Sequence, residues 1–401
     1  MRRIRSVISG APKPNGNGKK ESGLLKEFKR AVQSFLQGAD IFLLFMGITS
    51  VILGAVVISS ATRPEERAVS SFLRTQLIGA ALGIILFVII TEIDLDFLAG
   101  FWKWILGFNL LMLSLLATPF KAAEGGNMSW VYLPGIPFGI QPAEIVKVTF
   151  TLLLAIQVYR FKEKPSGILP VASYTVHLVV MLGIIYVLSK DIGVALIYIP
   201  AFSFVLLAAG VKLRWFALGG IAVTAAAPLL WRLLSPRLQA RILSPFNPTL
   251  DPEGVGWHGL LSVRMISGGG VTGQGLYKGE ITQTGQMFGQ HNDFIFSALG
   301  EELGFVGCLG CILLLSVIIL RCLWIARKAK NGLGSMVCCG VAGIFIFQTF
   351  LNIAMCLGIA PVIGITLPFF SYGGSSIMAS FAALGFVSSV KMHPERTWRD
   401  V

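Results

Sequence analysis

The stretch Gly268–Gly307, GGGVTGQGLYKGEITQTGQMFGQHNDFIFSALGEELGFVG, contains the transition around which the chain is built. A glycine-dense polar run ends at Asp293, and a long apolar segment begins at the next residue. Glu301 and Glu302 follow inside that apolar segment. Acidic residues within a membrane span are costly unless they face protein or a water-filled cavity. The stretch therefore predicts a polar loop at a membrane–water boundary, with Asp293 at the point where the chain enters the membrane.

The composition of the whole chain agrees with a membrane protein. Of 401 residues, 54% are hydrophobic and 13% are charged, and the mean hydropathy is +0.75. Soluble proteins carry about 25% charged residues. Apolar segments recur along the full length without the short polar–apolar alternation of an outer-membrane barrel. The predicted fold class is therefore an all-α polytopic membrane protein forming one helical bundle.

Ten segments are apolar enough and long enough to be membrane spans, which need about 20 residues each. They lie near residues 41–62, 76–92, 97–118, 141–160, 168–188, 191–210, 214–232, 294–320, 334–357 and 373–391. Residues 41–391 thus form one transmembrane domain. Residues 1–40 are a basic segment predicted to be partly disordered, and residues 392–401 form a short tail.

The distribution of lysine and arginine predicts the orientation. Ten spans place both termini on one side. Most of the positive charge lies on that side, in the N-terminal segment, the short loops and the tail, so the termini are predicted to be cytoplasmic. The net charge of +13 fits this orientation and does not point to nucleic acid. One long extracellular loop, about 233–293, joins spans 7 and 8. Its content is too apolar for simple disorder, and it is predicted to fold back onto the bilayer surface.

A first group of candidate site residues lies around the start of span 4. Trp130 precedes the stretch QPAEIVK at 141–147, in which a proline suits the first helical turn. Glu144 and Lys147 are then three residues apart on one helix face. Such a pair either lines a polar cavity or forms a structural ion pair that locks two helices.

A second group surrounds Asp293. The alternative to a catalytic carboxylate is a helix N-cap, because Asn292 or Asp293 would cap a helix that starts at Phe294. His291 is the only one of four histidines beside this carboxylate and is a candidate for orienting it.

Two further polar stretches face the same side. The run LPFFSYGGSS at 367–376 contains Ser371 and Ser375, and its glycines and hydroxyls suit either close helix packing or an anionic group bound at a helix start. Lys190 and Asp191 open span 6 and form another polar pair at the outer surface.

Several of these stretches resemble motifs of the SEDS family, which comprises RodA, FtsW and SpoVE. The similar stretches are SGGGVTGQGL, HNDFIFSALGEELGFVG, QPAEIVK, DIGVAL and LPFFSYGGSS. They occur in the family's order, and the resemblance covers about residues 41–391. The region around Asp293 looks most like RodA.

The resemblance implies a function. Members of this family are peptidoglycan glycosyltransferases that polymerise lipid II at the outer face of the bacterial cytoplasmic membrane. They work with a class B penicillin-binding protein, surrounded by membrane lipids, and use no organic cofactor. The family's essential aspartate falls on Asp293, its conserved polar pair on Glu144 and Lys147, and its tryptophan on Trp130.

The chain departs from the family pattern at four places. Ser129 stands where the family usually has arginine before the tryptophan, and Ala143 replaces a serine. Ser189-Lys190 replaces Gln-Pro, and Gly289-Gln290 occupies the place of a proline. The missing arginine lies near the expected path of a pyrophosphate, and Lys190, Arg241 or Arg264 are candidates to compensate for it.

The expected reaction is glycosyl transfer with inversion at the anomeric carbon. Asp293 would be the general base that accepts the proton of the attacking sugar hydroxyl. The pyrophosphate leaving group needs cationic stabilisation. Candidates for that role are Lys147, Arg241, Arg264 and Lys278, together with a divalent cation, Mg²⁺ or Mn²⁺, whose ligands the sequence leaves unknown.

Two alternative functions remain open from the residues alone. A bundle with Glu144, Lys147 and Asp191 inside it could flip lipid II or conduct a small solute. The bias of charged and glycine-rich features toward the outer side counts against a cavity open to both sides. A non-catalytic membrane scaffold for a penicillin-binding protein is the third hypothesis, and the changes at Ser129 and Ala143 keep it open.

Overall fold

The structure is a computed structural model that describes residues 27, 29–30, 32–63, 69–124, 127–135, 138–247 and 254–394. The N-terminal segment assigned to residues 1–40 and the tail assigned to 392–401 lie largely outside the described residues. The helices are α1 (Ile41–Ala61), α2 (Val69–Glu92), α3 (Leu95–Gly100), α4 (Trp102–Ser114), α5 (Pro142–Arg160), α6 (Ile168–Ser189), α7 (Ile192–Ala208), α8 (Leu213–Leu233), α9 (Pro236–Leu243), α10 (Val255–Gly268), α11 (Ile295–Lys328), α12 (Gly332–Cys356) and α13 (Gly374–Met392). Strands β1 (Lys121–Glu124) and β2 (Asn127–Val131) form an antiparallel hairpin.

The helical membrane fold predicted from composition is confirmed. Within the described part of the chain, seven helices are long and apolar enough to cross a membrane, namely α1, α2, α5, α6, α11, α12 and α13. Three shorter apolar helices, Trp102–Ala117, Ile192–Ala208 and Leu213–Leu229, coincide with predicted spans 3, 6 and 7. The last of these, in α8, exposes most of its apolar side chains, as expected for a helix that contacts lipid along its length.

The region between the second and fourth predicted spans differs from a simple helix followed by a loop. The predicted span 97–118 consists of α3, α4 and a 3₁₀ turn at Leu115–Ala117, with an interruption at Phe101. The following outer loop contains the β1–β2 hairpin, and Val131 of β2 also pairs with Ile140. Val131 is buried, and its backbone exchanges hydrogen bonds with Ile140 (2.8 and 2.9 Å), so this small sheet satisfies buried backbone groups of the loop.

Glycines allow the inner helices to pack closely. The helix pair α2 and α13 makes the most extensive contact in the bundle. A Cβ atom on Gly79 would lie 2.8 Å from the Cα of Gly374, and one on Gly385 would lie 3.1 Å from the Cα of Phe87. Helix association in lipid depends on such close van der Waals packing, because lipid tails remove most of the hydrophobic driving force.

A buried carboxylate joins three helix ends on the side predicted to be cytoplasmic. Asp40 is fully buried and caps α1 by accepting a hydrogen bond from the backbone N–H of Leu43. Its Oδ2 lies 2.8 Å from Arg321 Nη2 of α11 and 3.5 Å from Lys391 Nζ of α13. The charge of this carboxylate is therefore compensated by two cations, as burial requires.

The glycine-rich loop 268–275 inserts beside a break in α11. Gly304 has φ 65° and ψ −162°, which interrupts the helix and leaves backbone groups on both sides of it without helical partners. The loop supplies partners through four hydrogen bonds, from Gln274 N to Glu301 O (3.0 Å), Gly275 N to Glu302 O (3.0 Å), Phe305 N to Gly270 O (2.9 Å) and Val306 N to Val271 O (3.1 Å). Broken helices are tolerated in a membrane where protein satisfies the freed groups in this way.

Glu301 and Glu302 are buried and bind residues 281–283, which follow the glycine-rich loop. Glu301 accepts hydrogen bonds from the backbone N–H groups of Ile281 (2.9 Å) and Thr282 (2.8 Å), and from the hydroxyl of Thr282 (2.6 Å). Glu302 accepts from the hydroxyl of Ser60 at the end of α1 (2.6 Å) and from Gln283 Nε2 (3.0 Å). These two carboxylates therefore face protein and fix the loop to α11 and α1.

Replacement of Gly273 by alanine is expected to detach this loop. Gly273 has φ +82°, and a Cβ atom there would lie 2.1 Å from Glu302 O. Gly270→Ala is the matched control, because Gly270 has φ +55° but open space around it. In both variants the alanine must adopt a left-handed backbone conformation, which costs about 1–2 kcal/mol. Only in Gly273→Ala does the new Cβ atom also collide with the backbone of Glu302, so any additional effect of that variant reports on this contact.

Trypsin cleavage at the exposed Lys278 measures loop detachment. Gly273→Ala is expected to raise the cleavage rate and lower the melting temperature well beyond Gly270→Ala. Equal effects of the two substitutions would show that the close contact at Gly273 does not hold the loop.

Candidate functional site

The backbone around Asp293 is fixed at three consecutive carbonyl groups. Tyr372 N donates to His291 O (2.9 Å), Ser371 Oγ donates to Asn292 O (2.7 Å), and Asn352 Nδ2 donates to Asp293 O (2.8 Å). Asn352 also donates to Ile365 O (2.7 Å), so one amide of α12 connects the Asp293 segment to the loop 358–372. Because the donors come from two different elements, the segment is held from two sides.

The side chain of Asp293 is partly exposed, in contrast to Glu301 and Glu302. Its Oδ2 lies 3.5 Å from the position that a Cβ atom on Gly364 would occupy. The N-cap position of α11 is occupied by Phe294, which places Asp293 one residue before the cap. The carboxylate is therefore at the entrance of α11, beside the loop 358–372, on a rigid backbone.

His291 lies in an aromatic environment next to this carboxylate. Its ring centroid is 4.5 Å from that of Phe72 and 5.6 Å from that of Tyr372. Burial lowers the pKa of His291 to about 4. The imidazole is therefore neutral at physiological pH, and it packs against Phe72 and Tyr372.

The lowered pKa predicts how His291 affects stability. Because the folded-state pKa of about 4 lies below the ordinary histidine pKa of 6.5, the unfolded chain binds the proton more readily. The neutral ring therefore contributes full stability above pH 6.5, and this contribution declines as the pH falls toward 4. His291→Phe is expected to reduce the fall in melting temperature between pH 7 and pH 5. An identical pH dependence in the wild type and the variant would contradict the burial of the neutral ring.

Glu144 and Lys147 form a buried ion pair on α5. Lys147 Nζ lies 2.5 Å from Glu144 Oε2, and both residues are at most 2% exposed. Lys147 also donates to Gln348 Oε1 of α12 at 3.2 Å. The charged pair thus belongs to one helix, and a neutral amide provides the connection to the second helix.

A chain of polar side chains joins the starts of α5, α7 and α13. Asp191 caps α7 by accepting from the backbone N–H of Val194 (3.2 Å), and it also accepts from Ser129 Oγ (2.8 Å) and Gln141 Nε2 (3.4 Å). Gln141 N donates to Ser375 Oγ (3.2 Å). Ser129, the residue that replaces the family's arginine, therefore gives Asp191 a neutral hydrogen-bond donor.

The remaining candidate residues lie on surrounding surface elements. Trp130 is partly exposed on β2, opposite Ala122, and Lys190 is exposed at the end of α6. Lys278 is exposed three residues after the glycine-rich loop 268–275. Arg241 belongs to α9, where its buried Nε has no hydrogen-bond partner among the described residues.

Arg264 lies on α10 and lines a cavity of about 350 Å³ between α10 and the end of α12. This helix is anchored close to the Asp293 segment. Ser262 Oγ donates to Cys356 O (2.6 Å), and the Sγ of Cys356 lies 3.7 Å from Asp293 O. The structure thus brings the arginine-bearing helix of the long loop against the elements that hold Asp293.

Sequence reasoning missed the two α12 amides that contact the candidate residues. Gln348 reaches Lys147, and Asn352 reaches the backbone of Asp293. They are four residues apart and therefore lie on one helix face. Two amides on one face of an apolar span could have predicted these contacts, since polar groups inside membranes usually have protein partners.

Comparisons with known proteins identify the family of the chain. Residues 40–396 match the model of the FtsW/RodA/SpoVE family, described as cell cycle proteins. The chain is 32% identical over 314 residues to the peptidoglycan glycosyltransferase MrdB of Escherichia coli K12, covering 78% of this chain and 84% of MrdB. It is 30% identical over 360 residues to a probable peptidoglycan glycosyltransferase FtsW of Trichlorobacter lovleyi, covering 88% and 92% of the two chains.

Two solved structures share the fold. One is a chain from a study of the structural coordination of polymerisation and crosslinking by a peptidoglycan synthase complex, with a TM-score of 0.76, 27% identity, and coverage of 90% of this chain and 99% of that one. The other is the rod shape determining protein RodA of Thermus thermophilus, with a TM-score of 0.65, 26% identity, and coverage of 90% and 98%. By the match over residues 40–396 and by these relatives, the chain belongs to the FtsW/RodA/SpoVE family of multi-pass membrane proteins.

Proposed function

We propose that this protein is a peptidoglycan glycosyltransferase that polymerises lipid II into glycan strands at the outer face of the bacterial cytoplasmic membrane. The observation that carries the proposal is the partly exposed carboxylate of Asp293, on a backbone fixed at three consecutive carbonyl groups. The relatives named as peptidoglycan glycosyltransferases support the reaction class. Rigid placement of a catalytic group supports catalysis, because small displacements of reacting atoms reduce rates strongly.

The proposed orientation places both termini in the cytoplasm and Asp293 outside. Most of the lysine and arginine residues lie on the side of the termini, in the N-terminal segment, the short loops of that side and the tail, in agreement with the positive-inside rule. The long loop 233–293 and the loop 358–372 then lie on the outer side. Asp191 and Ser375 lie on that same side, at the starts of α7 and α13, and both contact Gln141.

In the proposed reaction, a sugar 4-hydroxyl attacks the anomeric carbon of a lipid-linked sugar. A new carbon–oxygen bond forms as the bond to the pyrophosphate oxygen breaks, with inversion, and undecaprenyl pyrophosphate leaves. Asp293 accepts the hydroxyl proton as general base. The cations proposed to stabilise the anionic leaving group are Lys147, Arg241, Arg264 and Lys278. Trp130 and Lys190 border the outer ends of the helices and are proposed to contact the substrate.

A divalent cation, Mg²⁺ or Mn²⁺, would supply additional charge stabilisation to the pyrophosphate. Among the described residues there is no group of three His, Cys, Asp or Glu side chains that could hold a metal ion. Magnesium is often bound by one or two carboxylates together with substrate phosphates. Asp293 or Asp191 would therefore hold such a cation only in the presence of the substrate pyrophosphate.

The proposed partner is a class B penicillin-binding protein. The support is the structural similarity to a chain of a peptidoglycan synthase complex that coordinates polymerisation and crosslinking. Crosslinking is not a reaction that the residues around Asp293 are arranged to perform. A second protein in the membrane would therefore supply the transpeptidase, and its presence should stimulate polymerisation by this chain.

The function is tested with the full-length protein in detergent, given labelled lipid II and either Mg²⁺ or Mn²⁺. Moenomycin is added to silence any contaminating classical transglycosylase, and the reaction is run with and without the penicillin-binding partner. A ladder of glycan products on a gel is the expected result. No ladder in the presence of the partner would refute the proposal, and transfer of lipid II across liposome membranes would then favour the flippase hypothesis.

A further inference from the structure

A second cavity lies at the opposite end of the bundle from Asp293. It has a volume of about 380 Å³ and is formed by α4, α5 and α6 at the end of α5 that carries Arg160. In the orientation proposed above, this is the cytoplasmic end. The size is within the range of about 300–1,000 Å³ that is usual for ligand pockets.

The walls of this cavity are largely apolar. The apolar surface is provided by the lining residues Trp102, Leu106, Leu153, Ile156 and Phe161. The polar lining side chains are mostly engaged with one another, because Gln157 Nε2 donates to Ser173 Oγ (2.6 Å) and Gln157 Oε1 lies 2.8 Å from His177 Nδ1. His177 Nε2 is buried without a hydrogen-bond partner among the described residues. The cavity thus offers an occupant mainly apolar contacts, which suit a hydrocarbon chain better than a polar solute.

Positive charge is concentrated at the mouth of the cavity. Arg160 is exposed, its guanidinium stacks over the ring of Trp102 at 4.3 Å from the centroid, and it forms no ion pair with a described carboxylate. Lys103 does not line the cavity, but its Nζ lies 5.7 Å from the centroid of the same Trp102 ring. The stacking orients the guanidinium while leaving its N–H groups available for bidentate hydrogen bonds to an anion such as a phosphate.

The surrounding helix surfaces face lipid. Ile168 and Leu169, in the first turn of α6, are 78% and 76% exposed, and Val176 is 60% exposed. An acyl chain can therefore reach the cavity directly from the bilayer. Anionic lipids in the cytoplasmic leaflet attract basic groups near that surface, and basic pockets between membrane helices bind their headgroups.

We propose that this cavity binds an anionic glycerophospholipid of the cytoplasmic leaflet, with one acyl chain between α4, α5 and α6 and the headgroup phosphate on Arg160. The lipid fills a gap between helices that otherwise lack contact there. It therefore stabilises the packing of α4 and α6 against α5, the helix that carries Glu144 and Lys147 at its other end. The site is independent of the reaction assigned to Asp293.

The test is a lipid titration of the full-length protein by native mass spectrometry, with dioleoyl phosphatidylglycerol and dioleoyl phosphatidylcholine as probes. Phosphatidylglycerol is expected to occupy one high-affinity site. Arg160→Gln is expected to weaken that binding about 10-fold or more, because it removes a charge-assisted hydrogen bond. The matched control is Arg214→Gln, an exposed arginine near Trp215 that does not line the cavity and should leave the affinity unchanged.

A second variant tests the acyl-chain part of the proposal. Leu106→Trp places a larger side chain in the cavity and is expected to weaken binding of phosphatidylglycerol while leaving Arg160 in place. If this variant does not fold, the comparison of Arg160→Gln with Arg214→Gln decides the matter alone.

Four outcomes would overturn the proposal. The first is equal affinity of the wild type and Arg160→Gln for phosphatidylglycerol, and the second is equal weakening by Arg214→Gln. The third is displacement of the lipid by glycerol phosphate, which would show that the acyl chain is not needed. The fourth is stronger binding of undecaprenyl phosphate than of phosphatidylglycerol at this site, which would replace the glycerophospholipid by a polyprenyl lipid.

Discussion

Asp293→Asn is expected to lower the rate of lipid II polymerisation by about 100- to 10,000-fold, the usual contribution of a general base. Asparagine has nearly the shape of aspartate but cannot accept the hydroxyl proton. The three hydrogen bonds that position this segment end on backbone carbonyl groups, so the substitution leaves them in place. The variant is therefore expected to fold normally and to retain its melting temperature.

The measurement is the initial rate of glycan formation, with the melting temperature recorded on the same preparation. Glu280→Gln is the matched control, because Glu280 is an exposed carboxylate of the same loop. It should polymerise lipid II at nearly the wild-type rate. A normally folded Asp293→Asn protein with the wild-type rate would remove Asp293 from the role of base without excluding glycosyl transfer by another group.

Lys147→Met is expected to destabilise the protein by about 3–5 kcal/mol, the usual cost of removing one partner from a buried ion pair. Glu144 is 2% exposed and would be left with a buried charge that Gln348, a neutral amide, cannot compensate. The double variant Glu144→Gln/Lys147→Met removes both charges and should recover most of the lost stability. The measurement is the melting temperature in detergent for the two variants and the wild type.

The activity of the same double variant separates the two hypotheses for this pair. If Lys147 stabilises the leaving group, the double variant stays strongly impaired in polymerisation even though its stability is recovered. If the pair only supports the packing of α5 against α12, activity returns with stability. A double variant that remains as unstable as Lys147→Met would contradict the charge-compensation account.

The fold class was predictable because hydrophobicity and charge act through local composition. Each span can be recognised from about 20 consecutive apolar residues, without knowledge of the helices that pack against it. The boundaries were less predictable where the chain is interrupted, as at Phe101 between α3 and α4 and in the β1–β2 hairpin. The hairpin depends on backbone pairing between particular residues, such as Val131 and Ile140, which composition does not encode.

The candidate site was partly predictable for a similar reason. Asp293, Glu144 and Lys147 stand out because charged residues at a membrane boundary or in a span need a partner. The sequence left open whether Glu144 and Lys147 lock two helices, and in the structure both belong to α5, with Gln348 as the contact from α12. The anchoring roles of Gln348 and Asn352 were missed because an amide carries no charge and its partner is far away in the chain.

Composition was enough to predict a helical membrane protein with a polar loop that ends at Asp293. These properties follow from transfer free energies of individual segments, which are fixed by composition. The contacts between segments could be seen only in the folded chain, where the glycine-rich loop fills the break at Gly304 and where Asn352, Ser371 and Tyr372 fix the backbone of residues 291–293. Those contacts join residues that are far apart in the chain, and they form because buried backbone groups need hydrogen-bond partners wherever the fold supplies them.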